Sequence, residues 1–147
     1  MKAAVYYETG APDVFRYEEV PDPTVGPGDI LITVEAVSIE GGDTLSRLGG
    51  DMARVPYIVG YQAAGTVAAV GGDVEGFVVG DRAVTVGLDG SHAELRAVPA
   101  GFAWKVPDGV HTDAAAAVPV PFGTADDCLF EFGHLVEIGR ASCRERV

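Results

Sequence analysis

The segment Asp29–Ser38, reading DILITVEAVS, constrains this chain more than any other. Ile30, Ile32 and Val34 alternate with Leu31, Thr33 and Glu35. A period of two lines one face of an extended strand with apolar side chains, and β-branched residues suit a pleated surface. A strand of this kind needs neighbours to satisfy its backbone and cover its apolar face.

The rest of the chain supplies them. Lys2–Tyr7 is a short apolar run, and Val14–Val20 alternates in part. Gly65–Val70 reads as a strand closed by a turn at Gly71–Gly72–Asp73, and a turn at Gly80–Asp81 leads into a strand ending at Val86. Ala93–Val98 alternates and is expected to pair with that strand, and Ala103–Val106 adds a short one. The clusters Thr9–Asp13 and Pro21–Asp29 are turns by composition, whereas Met52–Gly60 reads as a loop. Twenty glycines and nine prolines in 147 residues are about a fifth of the chain, against roughly 12% on average. That density favours many short strands over a helical bundle.

Helical signals are few. Gly41–Gly42–Asp43 opens a short helix over Thr44–Leu48, with Asp43 as N-cap. Thr112 and Asp113 precede a helix over Ala114–Val118, stopped by Pro119 and Pro121. Beyond Gly123 the period changes: Ala125, Cys128, Leu129 and Phe132 share one helical face, with Thr124 as cap and Gly133 as stop. A β-rich domain over 1–121 is therefore expected, followed by a helical start over 122–136. The segment Glu137–Val147, EIGRASCRERV, breaks off abruptly and carries three of the ten basic residues. It resembles the translation of a sequencing-adapter oligonucleotide read through the end of a gene fragment, and is expected to be dispensable.

Composition narrows function. The net charge of −12 opposes the phosphate neutralisation that non-specific nucleic-acid binding requires. No stretch approaches the ~18 apolar residues of a membrane span. Cys128 and Cys143 suggest no disulfide framework, so a reducing cytoplasm is the expected setting. His92, His111 and His134 have no ligand-like spacing, so zinc is not expected. Gly71–Gly72 lacks the third glycine and following helix of a dinucleotide fingerprint, and Gly90–Ser91–His92 lacks the second glycine of a nucleophile elbow. The acidic corner Glu40–Gly41–Gly42–Asp43 ends the best strand, a place where a rigid scaffold presents functional groups. On residues alone Asp43 has two readings, a functional carboxylate or a simple helix cap.

Six stretches in order carry a resemblance: Pro27–Gly28–Asp29, Val37–Gly49 (VSIEGGDTLSRLG), Gly60–Gly71 (GYQAAGTVAAVG), Gly76–Val84 (GFVVGDRAV), Gly90–Glu94 (GSHAE) and Ala114–Thr124 (AAAAVPVPFGT). Together they resemble the N-terminal, GroES-like part of the medium-chain dehydrogenase/reductase superfamily, in its zinc-free quinone oxidoreductase branch. The resemblance spans residues 1 to about 136. It implies a mainly β fold, a partly open barrel with few short helices, leading into a Rossmann domain of which only the first helix is present. Tyr61 and Gln62 stand where zinc-dependent relatives carry a histidine ligand and a glutamate, so no zinc is implied. Glu40 stands where the branch usually has asparagine, replacing an amide donor with an acceptor.

The resemblance further implies hydride transfer from NADPH to a quinone, enone or related carbonyl compound, in a protein that forms a homodimer. Glu40 and Asp43 would meet the substrate, and Thr124 the nicotinamide. Tyr61 has two readings, polarising a carbonyl oxygen or packing. The fragment alone is expected to be inactive. A stand-alone GroES-like binding or scaffold module, with neither membrane nor nucleic-acid partner, is the rival reading.

Overall fold

The computed structural model describes residues 1–136; the expected tail, 137–147, lies outside the described residues. Among the described residues, eight strands form two antiparallel sheets. In the smaller, β1 (Lys2–Tyr6) lies between β2 (Arg16–Glu19) and β4 (Tyr57–Ile58). In the larger, β3 (Asp29–Ser38) pairs with both β5 (Gln62–Val70) and β7 (Leu95–Pro99), and β6 (Arg82–Val86) continues from β5 to β8 (Ala103–Lys105). The mainly β, half-barrel fold with few short helices is the expected one.

The alternation in β3 is realised: Ile30 and Ile32 are buried and Thr33, Glu35 and Val37 exposed. β5 is buried on both faces at its start. Ala63 joins a core with Ile30, Ile32, Val67 and Val98, whereas its neighbour Ala64 packs with Val84, Val106, Ala115 and Ala116 on the other side. That second cluster docks α2 (Thr112–Ala116) against the sheet. A third cluster, Tyr6, Tyr57 and Val59 with Phe15, fills the space behind the small sheet.

Three expectations are corrected. The Leu95–Pro99 strand pairs with β3, not with Arg82–Val86, whose outer neighbour is Ala103–Lys105; alternation specifies a face and not a partner. The loop expected over Met52–Gly60 contains β4, which pairs only Ile58 with Val5 and Tyr57 with Tyr6, too short a strand to announce itself. The prolines do not end helical structure. After α2 the chain widens into a π-helical turn, Val118–Phe122, then continues through Gly123–Asp126 and Asp127–Glu131. Bonds spanning more residues leave room for Pro121, which lacks an N–H. The backbone thus stays helical across 121–122.

Gly65 fixes the centre of the large sheet. A β-carbon at this position would sit 1.9 Å from the Thr33 carbonyl oxygen and 3.1 Å from the Val34 α-carbon. It lies beside the register shift between Val34 and Ala36, where the two strands approach most tightly. Gly65→Ala is expected to lower stability by about 1–3 kcal/mol, as an overpacked site does. Urea unfolding of variant and parent chain measures it, and an unchanged midpoint would contradict the close approach.

Candidate functional site

Side chains from separate elements converge at the C-terminal end of β3. The register sets Ser38 opposite Gln62, so the chain leaving β3 passes over the start of β5. Glu40 is the N-cap of α1 (Gly41–Gly49). One oxygen of its carboxylate, Oε1, accepts hydrogen bonds from Ser38 Oγ at 3.0 Å and from Gln62 Nε2. Gln62 is fully buried, and its Oε1 accepts the Val120 N–H at 2.9 Å. The Tyr61 ring lies against the start of α1: a β-carbon on Gly42 would sit 2.3 Å from Tyr61 Cε2 and 2.6 Å from its hydroxyl oxygen. Beside this corner a cleft of about 580 Å³ is lined by Tyr61, Val86, Leu88, Phe102 and Val120.

Asp43 does not share that opening. It is 3% exposed, and its Oδ2 accepts the Glu40 N–H at 2.8 Å. The helix begins at Gly41 rather than Thr44, which makes Asp43 its third residue and Glu40 the cap. A carboxylate at the third position turns back to the unpaired N–H at the cap and is favoured by the positive end of the helix. The expected N-cap role of Asp43 is thereby corrected. Its other neighbour is His92, whose Nε2 lies 4.0 Å from Oδ2. The pair lies beneath α1 at a separate cavity of about 340 Å³, with Phe15, Arg47 and Val59. Asp43 Oδ1 and His92 Nε2 are both buried without a hydrogen-bond partner.

Thr124 is the second residue of Gly123–Asp126 and is exposed. It caps nothing, because the residue before the segment, Phe122, is already helical. Thr124 stands one helical turn beyond Val120, the residue tied to Gln62. The arm ends as expected near Gly133, although the left-handed residue there is His134, with φ of 50°. Leu129, Phe132 and Val136 of this arm are exposed.

No motif in the sequence marks a role for Gln62 or Arg96. Arg96 is 2% exposed, opposite Ile32 on the inward face of β7. Its guanidinium donates to Asp89 O at 2.8 Å, Tyr61 O at 3.0 Å and Thr85 Oγ1 at 3.1 Å. No carboxylate is among these partners, and burial pulls its pKa down to about 10 despite the charges of Asp89 and Asp43. Arg96 thus stitches the turn carrying Tyr61 to the turn carrying Asp89. The period-two pattern does put Arg96 on the face of Val98, and that was the available signal. Among the described residues, no group of three or more His, Cys, Asp and Glu side chains is placed to hold a metal.

The family described as the alcohol dehydrogenase GroES-like domain matches residues 26–108. The chain belongs to this family. The human synaptic vesicle membrane protein VAT-1 homolog-like protein is 31% identical, with a TM-score of 0.88 over 92% of this chain and 44% of that one. A mycobacterial quinone oxidoreductase is 37% identical, with a TM-score of 0.80 over 88% of this chain and 40% of that one. The Escherichia coli quinone oxidoreductase complexed with NADPH is 25% identical, with a TM-score of 0.86 over 90% of this chain and 41% of that one. The chain therefore spans under half the length of each. No helix among the described residues is long and apolar enough to cross a membrane.

The buried dyad beneath α1 generates a pH prediction. Burial pushes the His92 pKa below its ordinary 6.5; the Asp43 charge opposes this and the Arg96 charge adds to it. Below about pH 6.5 the unfolded chain therefore binds a proton that the folded chain does not. The contribution of neutral His92 is complete above about pH 6.5 and is lost as pH falls from there through the folded-state value. Unfolding free energy should fall less steeply between pH 7 and 5 in His92→Gln than in the parent chain. Equal slopes would contradict a desolvated His92.

Proposed function

We propose that this chain is the substrate-side part of an oxidoreductase that reduces a quinone, enone or similar carbonyl compound with hydride from NADPH, without zinc. The observation that carries the reading is the donor set at the corner. Tyr61 brings a phenol to the wall of a cleft, and the corner beside it holds the Glu40 carboxylate and the buried Gln62 amide. Catalytic zinc draws three ligands from Cys, His and carboxylate, and neither phenol nor amide is among them. Neighbours of the same fold include a quinone oxidoreductase complexed with NADPH.

In this reading the Tyr61 hydroxyl donates to the carbonyl oxygen that gains charge as hydride arrives at carbon. Glu40 offers its second carboxylate oxygen to a donor group on the substrate, and Asp43 supports the corner from beneath. Thr124 contacts the nicotinamide side. When bound, NADPH supplies the hydride; the protein orients the reactants and excludes water.

The described residues do not themselves fit a dinucleotide. Their strand-to-helix turn with paired glycines, Gly41–Gly42, is bracketed by Glu40 and Asp43, and the Asp43 carboxylate occupies the N–H at the cap. Two carboxylates at a helix N-terminus repel the phosphate that such a turn would otherwise attract. The phosphate-binding part would come from a longer protein, whose continuation would cover the exposed apolar residues of the arm.

Two experiments test this. Titration calorimetry of NADPH into residues 1–147 should show no micromolar binding; such binding would contradict the division of labour. The gene should then be read downstream of codon 136 and its full product assayed for NADPH oxidation with a series of quinones and enones. Turnover without zinc by elemental analysis is expected; an immediate stop codon would favour a non-catalytic module. In that full product Thr124→Val should weaken NADPH binding about threefold to tenfold, the worth of one neutral hydrogen bond. An unchanged dissociation constant would remove Thr124 from the site.

A further inference from the structure

A fully buried glutamine is tolerated only when both ends of its amide are paired. Gln62 meets that condition with partners far apart in the chain: Nε2 donates to Glu40, 22 residues before it, and Oε1 accepts from Val120, 58 residues after it. Val120 lies between Pro119 and Pro121, neither of which has an N–H, so it holds the sole backbone donor of that triplet. Among the described residues, this is the only hydrogen bond that joins the helical arm Val118–Glu131 to the sheets.

The amide is polar in one direction. Its NH₂ must face an acceptor and its carbonyl must face a donor. Val120 can only donate, so Gln62 holds it only while its NH₂ is turned the other way. The acceptor at Glu40 enforces that orientation, and Ser38 Oγ, donating to the same carboxylate oxygen at 3.0 Å, keeps the acceptor in place. Without an acceptor at residue 40, the buried NH₂ is left unpaired, and the Val120 bond alone favours this orientation over the reverse, which sets NH₂ against N–H.

We propose that Gln62 is a positioning residue, a polarised joint through which the acceptor at Glu40 holds the helical arm, and Thr124 with it, in register with the corner. The sense of the proposal for catalysis rests on the reading of Glu40 and Thr124 as two sides of one cleft; the joint itself does not. A consequence is that a substrate donor drawing on the Glu40 carboxylate acts on the arm without touching it.

Amide hydrogen exchange of the full 147-residue chain, followed by NMR, reads the joint directly. Glu40→Leu should speed exchange at Val120 about tenfold, the equilibrium factor of one good hydrogen bond, although residue 40 makes no hydrogen bond to Val120. Glu40→Gln, which retains an acceptor, should leave that rate within about twofold, a fraction of that same bond. Gln62→Leu should speed it as Glu40→Leu does, and the double variant should add nothing further. Amides of the β3–β5 ladder, such as Val67, should keep their protection and report an intact fold; Glu40→Met replaces Glu40→Leu if they do not. An unchanged Val120 rate in the residue-40 variants, or effects that add in the double variant, would overturn the proposal. Failure of the full gene product to oxidise NADPH would instead strike the functional reading and leave the Val120 result standing.

Discussion

The antiparallel pairing of β3 with β5 is the interaction on which the rest of this structure depends. It runs from Ile30 opposite Val70 to Ser38 opposite Gln62, and it forms the middle of the large sheet. Its register decides which residues face the core. It also decides that the end of the longest strand meets the start of its partner. The close approach at Gly65 and the two register shifts hold it there, because a slip by one residue would turn every side chain to the wrong face.

From that register the corner follows. Ser38, Glu40 and Gln62 come within hydrogen-bonding reach because the ladder ends at Ser38 and α1 begins at Gly41. Tyr61, adjacent to Gln62, is then carried to the first turn of α1, and only the absence of a side chain at Gly42 lets the ring settle there. Behind it, Arg96 secures the backbone of the Tyr61 turn through carbonyl oxygens rather than through an opposing charge. A guanidinium held in this way forgoes the compensation of an ion pair, and its depressed pKa expresses that. The corner is thus a platform whose polar atoms are largely used on one another, with the Tyr61 side chain lining the cleft beside it.

The two carboxylates of the corner show how position divides similar groups. Glu40 and Asp43 are three residues apart, yet one faces the joint with β5 and the other is enclosed with His92. The division comes from the helix: a cap residue has extended backbone and projects outward, whereas the third residue folds back onto the first free N–H. The enclosed pair keeps two polar atoms without partners, a local cost that the packing of Tyr6, Phe15 and Val59 around it must offset.

The sequence by itself determined the β-rich class, the span of β3, the positions of the turns, the family and the acidic corner. These depend on alternation, on turn-forming residues and on ordered short motifs, all of them confined to stretches of several residues. Only the tertiary structure decided that Leu95–Pro99 lies against β3, that Asp43 is enclosed, that Arg96 points inward beside Ile32, and that Gln62 joins Glu40 to Val120. Each of these is a meeting of segments separated by tens of residues, or a choice between two faces, and no local pattern encodes it. Strand register and the closing of α1 on its cap choose the partners, and a single amide then has one orientation that pairs both of its ends.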